Sequence, residues 1–140
     1  RNSCCFWGGD IEREPLENRF FFYGVWDCFA LVRDYFHLKF DINLPNIPRE
    51  FGFWYKGISV FEKHLNSSDF GVYPVPIDNI KKGDILLYNM HGTKYINHCA
   101  ICLEDGLVFH HFNNKISKPF PISHYQQFLY PLAYRIGESK

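Results

Sequence analysis

The order of its periodicities constrains this chain most: a helical pattern comes early, and strand patterns fill the later part. After Asp27, the side chains at 28, 31, 32, 35 and 36 form one apolar stripe at helical spacing. Asp27 has the side chain of an N-cap, and the helix it opens is expected to run to about His37. From residue 85 the pattern changes to short apolar runs between turns. One run, 85–88, follows Gly83-Asp84. Two more, 98–103 and 107–112, flank Asp105-Gly106, a strong hairpin signal, and 132–136 gives a last strand. Helix first and antiparallel strands afterwards define an α+β fold, with an N-terminal helix packed on a mainly antiparallel sheet.

The segments between are more weakly marked. Residues 1–18 read as irregular, with Gly8-Gly9 and Pro15 as breakers. Residues 41–57 carry Pro45, Pro48, Gly52 and Gly57 among aromatics and read as a long ordered loop. Ser59 is expected to cap a short helix through Leu65, with Glu62 as its capping-box partner. Residues 72–75 suit a short edge strand limited by Pro74 and Pro76. Ile116-Ser117 suits another short strand, and 123–128 a single helical turn. With 140 residues and no internal repeat or linker, the expectation is one domain over 1–140. Arg1, where a whole protein would begin with Met, reads as the C-terminal part of a longer product.

Composition excludes several classes. At 46% hydrophobic and 19% aromatic residues, the chain is too apolar for disorder. Fifteen basic and fifteen acidic side chains cancel without forming a basic stripe, so nucleic-acid binding has no electrostatic support. No apolar run approaches a membrane span. Five cysteines, Cys4, Cys5, Cys28, Cys99 and Cys102, are odd in number and follow no disulfide spacing, so free thiols are expected. The vicinal pair Cys4-Cys5 receives no role.

Cys28 carries the chemistry. As core filler it would be an ordinary buried cysteine. In the first turn of a helix, however, unpaired N–H groups and the positive dipole end favour a thiolate. Downstream come Asn97-His98-Cys99-Ala100-Ile101-Cys102 and, across the turn, Leu107-Val108-Phe109-His110-His111. A cysteine opening a helix with histidines on a later hairpin is the layout of a thiol enzyme. The rival chemistry is zinc, for which Cys99, Cys102, His98, His110 and His111 supply enough ligands. Strand alternation opposes it, because 99 and 102 point to opposite faces. His37, His64, His91 and His124 receive no role.

Three segments together resemble the NlpC-type cell-wall cysteine peptidases, which are papain-like. Asp27-Cys28-Phe29-Ala30-Leu31-Val32 is close to that family's Asp-Cys-Ser-Gly-Leu-Val. Lys82-Gly83-Asp84-Ile85-Leu86-Leu87-Tyr88 is similar to its Pro-Gly-Asp-Leu-Leu-Phe. Residues 97–106 are similar to its His-Val-Gly-Ile-Tyr-Leu-Gly-Asp-Gly. A finer resemblance, to the phage tail-assembly branch, rests on Trp26-Asp27-Cys28-Phe29, Leu31-Val32-Arg33-Asp34-Tyr35, Leu44-Pro45 with Arg49, Trp54-Tyr55-Lys56-Gly57 and His110-His111.

The resemblance implies acyl transfer without cofactor or metal. Cys28 is the nucleophile, and the Cys28 backbone N–H serves the oxyanion. His98 pairs with the thiolate and then protonates the leaving amine. A third polar group orients His98, and Tyr23, Asp27 and His111 support the site. The substrate class implied is the stem peptide of peptidoglycan, and the implied partners are phage tail-tip proteins, with no nucleic acid and no membrane insertion. The implied location is the virion tail, assembled in the host cytoplasm and acting at the bacterial wall. A tail-tip assembly module that keeps the fold without the activity is the alternative, with the aromatic stretch 51–54 as a docking surface.

Two geometric expectations follow. Family spacing makes His110 the third residue, whereas an ideal two-residue turn at Asp105-Gly106 would put His111 on the face of His98. We take the spacing, which requires a bulge or a longer loop, because bulges cluster near active sites. The face carrying His98, Ala100 and Cys102 is expected to pack on the helix that begins at Asp27, bringing His98 within hydrogen-bond reach of the Cys28 sulfur.

Overall fold

The computed structural model describes residues 15–137. The expectations for Cys4-Cys5, Gly8-Gly9 and the rest of 1–14 lie outside the described residues. Helix α1 spans Cys28–Phe40 and a shorter α2 spans Val60–Leu65. Six strands follow: β1 Val72–Pro76, β2 Ile85–Tyr88, β3 His98–Cys102, β4 Leu107–His110, β5 Lys118–Pro121 and β6 Leu129–Ile136. They form one antiparallel sheet in the order β1-β6-β2-β3-β4-β5.

Helix α1 starts as its sequence dictates. Asp27 is extended, and its Oδ1 accepts from the Ala30 N–H at 2.9 Å. The helix runs three residues past His37, because Asp41 enters the left-handed region (φ 55°) and gives its N–H to the His37 carbonyl. The expected capping box at Ser59 does not form. Ser59 makes no side-chain cap, and Glu62 instead accepts from the Tyr130 hydroxyl at 2.8 Å.

Both edge strands carry prolines, Pro74 and Pro76 in β1 and Pro119 and Pro121 in β5, which removes donors where no strand follows. The short strand expected at Ile116-Ser117 falls two residues later. Ser117 is buried instead, accepting from the Arg19 N–H at 2.9 Å and donating to the Leu16 carbonyl at 2.6 Å. β6 begins at Leu129, earlier than its pattern indicated. Pro131 lies inside it and lacks a ladder donor, and the β2–β6 register shifts opposite, between Leu86 and Tyr88.

The sheet separates two cores. On one face, Ile85, Leu87, Cys99, Ile101 and Phe109 pack with Phe29, Leu31, Val32, Tyr35 and Phe36 of α1. On the other, Leu86, Tyr88, Ala100, Cys102, Val108 and Ala133 are covered by Ile122, Tyr125 and Phe128 of a 3-10 segment. The expectation for β3 is therefore corrected: the Ala100 and Cys102 face turns away from α1, and Cys99 and Ile101 face it. Alternation fixes which residues share a face, but the partner of that face is decided by the whole sheet.

Candidate active site

The hairpin β3–β4 sets the histidines. Its register pairs Ile101 with Phe109 and Cys102 with Val108, and the Leu103 N–H bonds to the Leu107 carbonyl at 2.8 Å. Glu104, Asp105 and Gly106 form a three-residue loop, with Asp105 and Gly106 both left-handed (φ 57° and 72°). The extra residue puts His110 on the face of His98. His98 Nε2 lies 2.9 Å from His110 Nδ1, and the two rings are nearly parallel. Phe112 stacks on both at 4.6 Å, and the Tyr88 ring packs against both edge-on. His111 makes no such contact. It is fully buried, packs edge-on to Phe21 at 5.2 Å, and its ring nitrogens face the backbone of Lys115 and Arg19 without a well-aligned hydrogen bond.

These rings are held neutral. Burial, reinforced by the neighbouring His110, His111 and His91, holds the His98 imidazole well below its usual range. Burial alone brings His110 to about 3. His111 is also lowered, chiefly by burial.

The Cys28 end is built by charge. Asp27 is buried and accepts from the Gly24 and Ala30 N–H groups, and Arg49 grips it with two parallel bonds of 2.8 and 2.9 Å. Arg49 also bonds the Ile47 carbonyl and lies over the Phe29 ring at 5.1 Å. Burial opposes its charge, but the hydrogen bonds to Asp27 outweigh that and raise its pKa. Cys28, half-buried, is the first residue of α1, so its N–H has no intrahelical acceptor.

Cys28, His98, His111, Tyr23 and Asp27 line one narrow cleft of about 70 Å³, closed by Phe21, Phe51, Trp54 and Phe112. His110 stands behind His98. The Cys28 sulfur does not hydrogen-bond His98; its thiol contact is Cys99, which reaches it from β3. Burial, then the hydrogen bond and charge of Cys28, push the Cys99 thiol well up, so Cys99 stays protonated. Tyr23 turns its buried hydroxyl into this region without a hydrogen bond, and its pKa is raised, first by burial and then by Asp27 and Cys28.

Three lining residues received no site role from sequence. Arg49 carried a signal in its position after Leu44-Pro45. Asn97 precedes β3 and clamps the neighbouring loop, accepting from the Met90 N–H at 2.8 Å and donating to the Met90 carbonyl at 3.1 Å. That clamp holds His91, in the left-handed region (φ 64°) before Gly92, at the cleft mouth. Cys99 and Cys102 lie on opposite faces and cannot share an ion. Among the described residues, no group of three or more His, Cys, Asp or Glu side chains is placed to hold a metal. No described helix is long and apolar enough to cross a membrane.

The profile of the NlpC/P60 family matches residues 6–131, and the chain belongs to that family, with its papain-like α+β fold. It is 37% identical over 103 residues to the tail tip assembly protein K of Escherichia phage lambda, covering 74% of this chain and 50% of the relative. To the protein of the same name from Escherichia phage N15 it is 26% identical over 115 residues, covering 81% of this chain and 46% of the relative. The chain thus spans about half the length of these curated relatives. Among solved structures, it is similar in fold to the P60 domain of an antigen from M. avium subspecies paratuberculosis, with a TM-score of 0.52 at 19% identity, covering 83% of this chain and 69% of that one.

Proposed function

We propose that this chain is the peptidase module of a phage tail tip, cleaving amide bonds in peptidoglycan stem peptides to aid passage through the wall. The observation that carries this is the cleft shared by Cys28, at a helix start, and His98, backed by His110. Neutral His98 acts as a general base rather than as one half of a standing ion pair. With Nε2–H given to His110, its Nδ1 takes the Cys28 proton as sulfur attacks the carbonyl carbon. The Cys28 N–H receives the developing oxyanion. The imidazolium returns its proton to the leaving amine, the C–N bond breaks, and a thioester remains. Water, deprotonated by His98, then releases the acid and restores the thiol. His110 stays an acceptor throughout, because burial keeps it from taking the proton itself.

The alternative is a tail-tip assembly module with the same fold. Phe20, Phe22, Phe51 and Tyr55, exposed at 78, 65, 57 and 79%, favour it, because they suit a protein partner. Zymography on purified walls, with mass analysis of the fragments, separates the two. The peptidase reading requires activity that persists in excess chelator and is abolished in Cys28→Ala while the melting curve is retained. Full activity in Cys28→Ala ends it, and no activity in the parent leaves the assembly module. Near neutral pH, Cys28 should also be alkylated faster than Cys99 or Cys102, which are buried.

A further inference from the structure

The cleft at Cys28 is narrow, about 70 Å³, and it does not end at the histidines. Met90, His91, Phe112 and Asn113 line it on one side and, on the other, line a second basin of about 530 Å³. Phe112 is the shared wall, and its ring lies flat on His98 and His110. The two hollows are therefore contiguous, and a chain leaving Cys28 and His98 on this side would run over Phe112 into the basin. The floor is aromatic, from Phe120 and Tyr125. Two cations, Lys115 and Lys118, stand in its wall, with Lys118 Nζ held 5.1 Å over the Phe120 ring.

The charge balance singles this basin out. Basins near the C-terminal end of α1 set Lys39 and Lys82 beside Glu104 and Asp105, and Lys81, Lys82 and Arg135 beside Asp84, so each holds at least one carboxylate. The basin next to the cleft is lined by no carboxylate, and neither of its lysines makes an ion pair among the described residues. Two ammonium groups over an aromatic floor, with no carboxylate beside them among the described residues, complement an aliphatic chain ending in a negative charge.

We propose that this basin is a substrate subsite that takes a carboxylate-bearing arm of the peptide, with Lys115 and Lys118 as its specificity determinants. The proposal rests on the peptidase reading for the nature of its ligand. It predicts that stem peptides with free carboxylates are preferred over their amidated forms, by charge alone and without a change at the scissile bond.

The test uses Cys28→Ala, whose binding does not depend on turnover. It is titrated calorimetrically with a synthetic stem peptide carrying free carboxylates and with the fully amidated peptide. The free form should bind about five- to tenfold more tightly, with the preference shrinking as salt is raised. Adding Lys115→Ala and Lys118→Ala should bring the two peptides within about twofold. Equal affinity at the outset, a preference that survives both lysine substitutions, or no binding by either peptide to a normally melting protein overturns the subsite. If the preference appears and depends on the lysines while the parent protein fails to cut walls, the basin stands and the peptidase reading falls.

Discussion

The two faces of the sheet carry the two halves of the site, and they position them by opposite means. Under α1 the face is apolar, and one buried ion pair at its rim, Asp27 with Arg49, fixes the start of the helix and so the place of Cys28. On the far face His98 and His110 are held by stacked rings and by exclusion of charge: their lowered pKa values come from burial and other histidines, with no carboxylate among the causes. Cys28 is placed by a charged clamp, and His98 by a stack whose resting state is neutral. The two meet only where the sheet ends, in the cleft.

The clamp should give the largest effect when broken. Arg49→Ala leaves a buried Asp27 carboxylate without its cation and is expected to cost about 3–5 kcal/mol of stability, read from chemical denaturation. A loss below about 1 kcal/mol would mean that the helix start is held by backbone capping alone.

Next comes the stack. His110→Phe keeps the ring contacts but removes the acceptor for His98 Nε2–H. The turnover rate should fall about 10²-fold, with KM little changed and the acid limb of the pH profile displaced. An unchanged rate would reduce the machinery to Cys28 and His98.

Acid should separate the faces further. His98, His110 and His111 have folded pKa values below their unfolded value of about 6.5. The unfolded chain therefore binds more protons below that pH. Stability from these groups is complete above about pH 7.5 and falls as pH drops through 6.5, continuing towards 3 for His110, by up to about 1.4 kcal/mol per pH unit for each group. Melting curves from pH 7.5 to 5 should show this decline, and His110→Phe should make it shallower. Equal slopes in the two proteins would place the acid sensitivity elsewhere.

The smallest effect belongs to the residue beside the stack. His111 is buried with no well-aligned hydrogen bond, only loose approaches to the Lys115 and Arg19 backbone, so His111→Phe should change stability by no more than about 1 kcal/mol, in either direction, and leave turnover within a few-fold. A loss equal to that of His110→Phe would show that His111 acts in the cleft it lines.

What the sequence determined by itself was local. A capping Asp27 before an apolar stripe is enough to start α1 at Cys28, because the cap bond spans only three residues. Alternation shows that residues 99 and 101 oppose 98, 100 and 102, and family spacing favoured His110. The three-residue loop that places His110 depends on two consecutive left-handed residues, Asp105 and Gly106, a conformation their side chains permit but do not require. Only the tertiary structure decided which face of β3 meets α1, since hydrophobicity is nearly equal on the two sides of a sheet buried on both. It also decided that Arg49 reaches Asp27 across 22 residues, that Cys99 meets Cys28, and that Asn97 folds His91 back to the cleft. Those contacts join elements distant in sequence, and no local pattern encodes a distance between surfaces that come together only when the core closes.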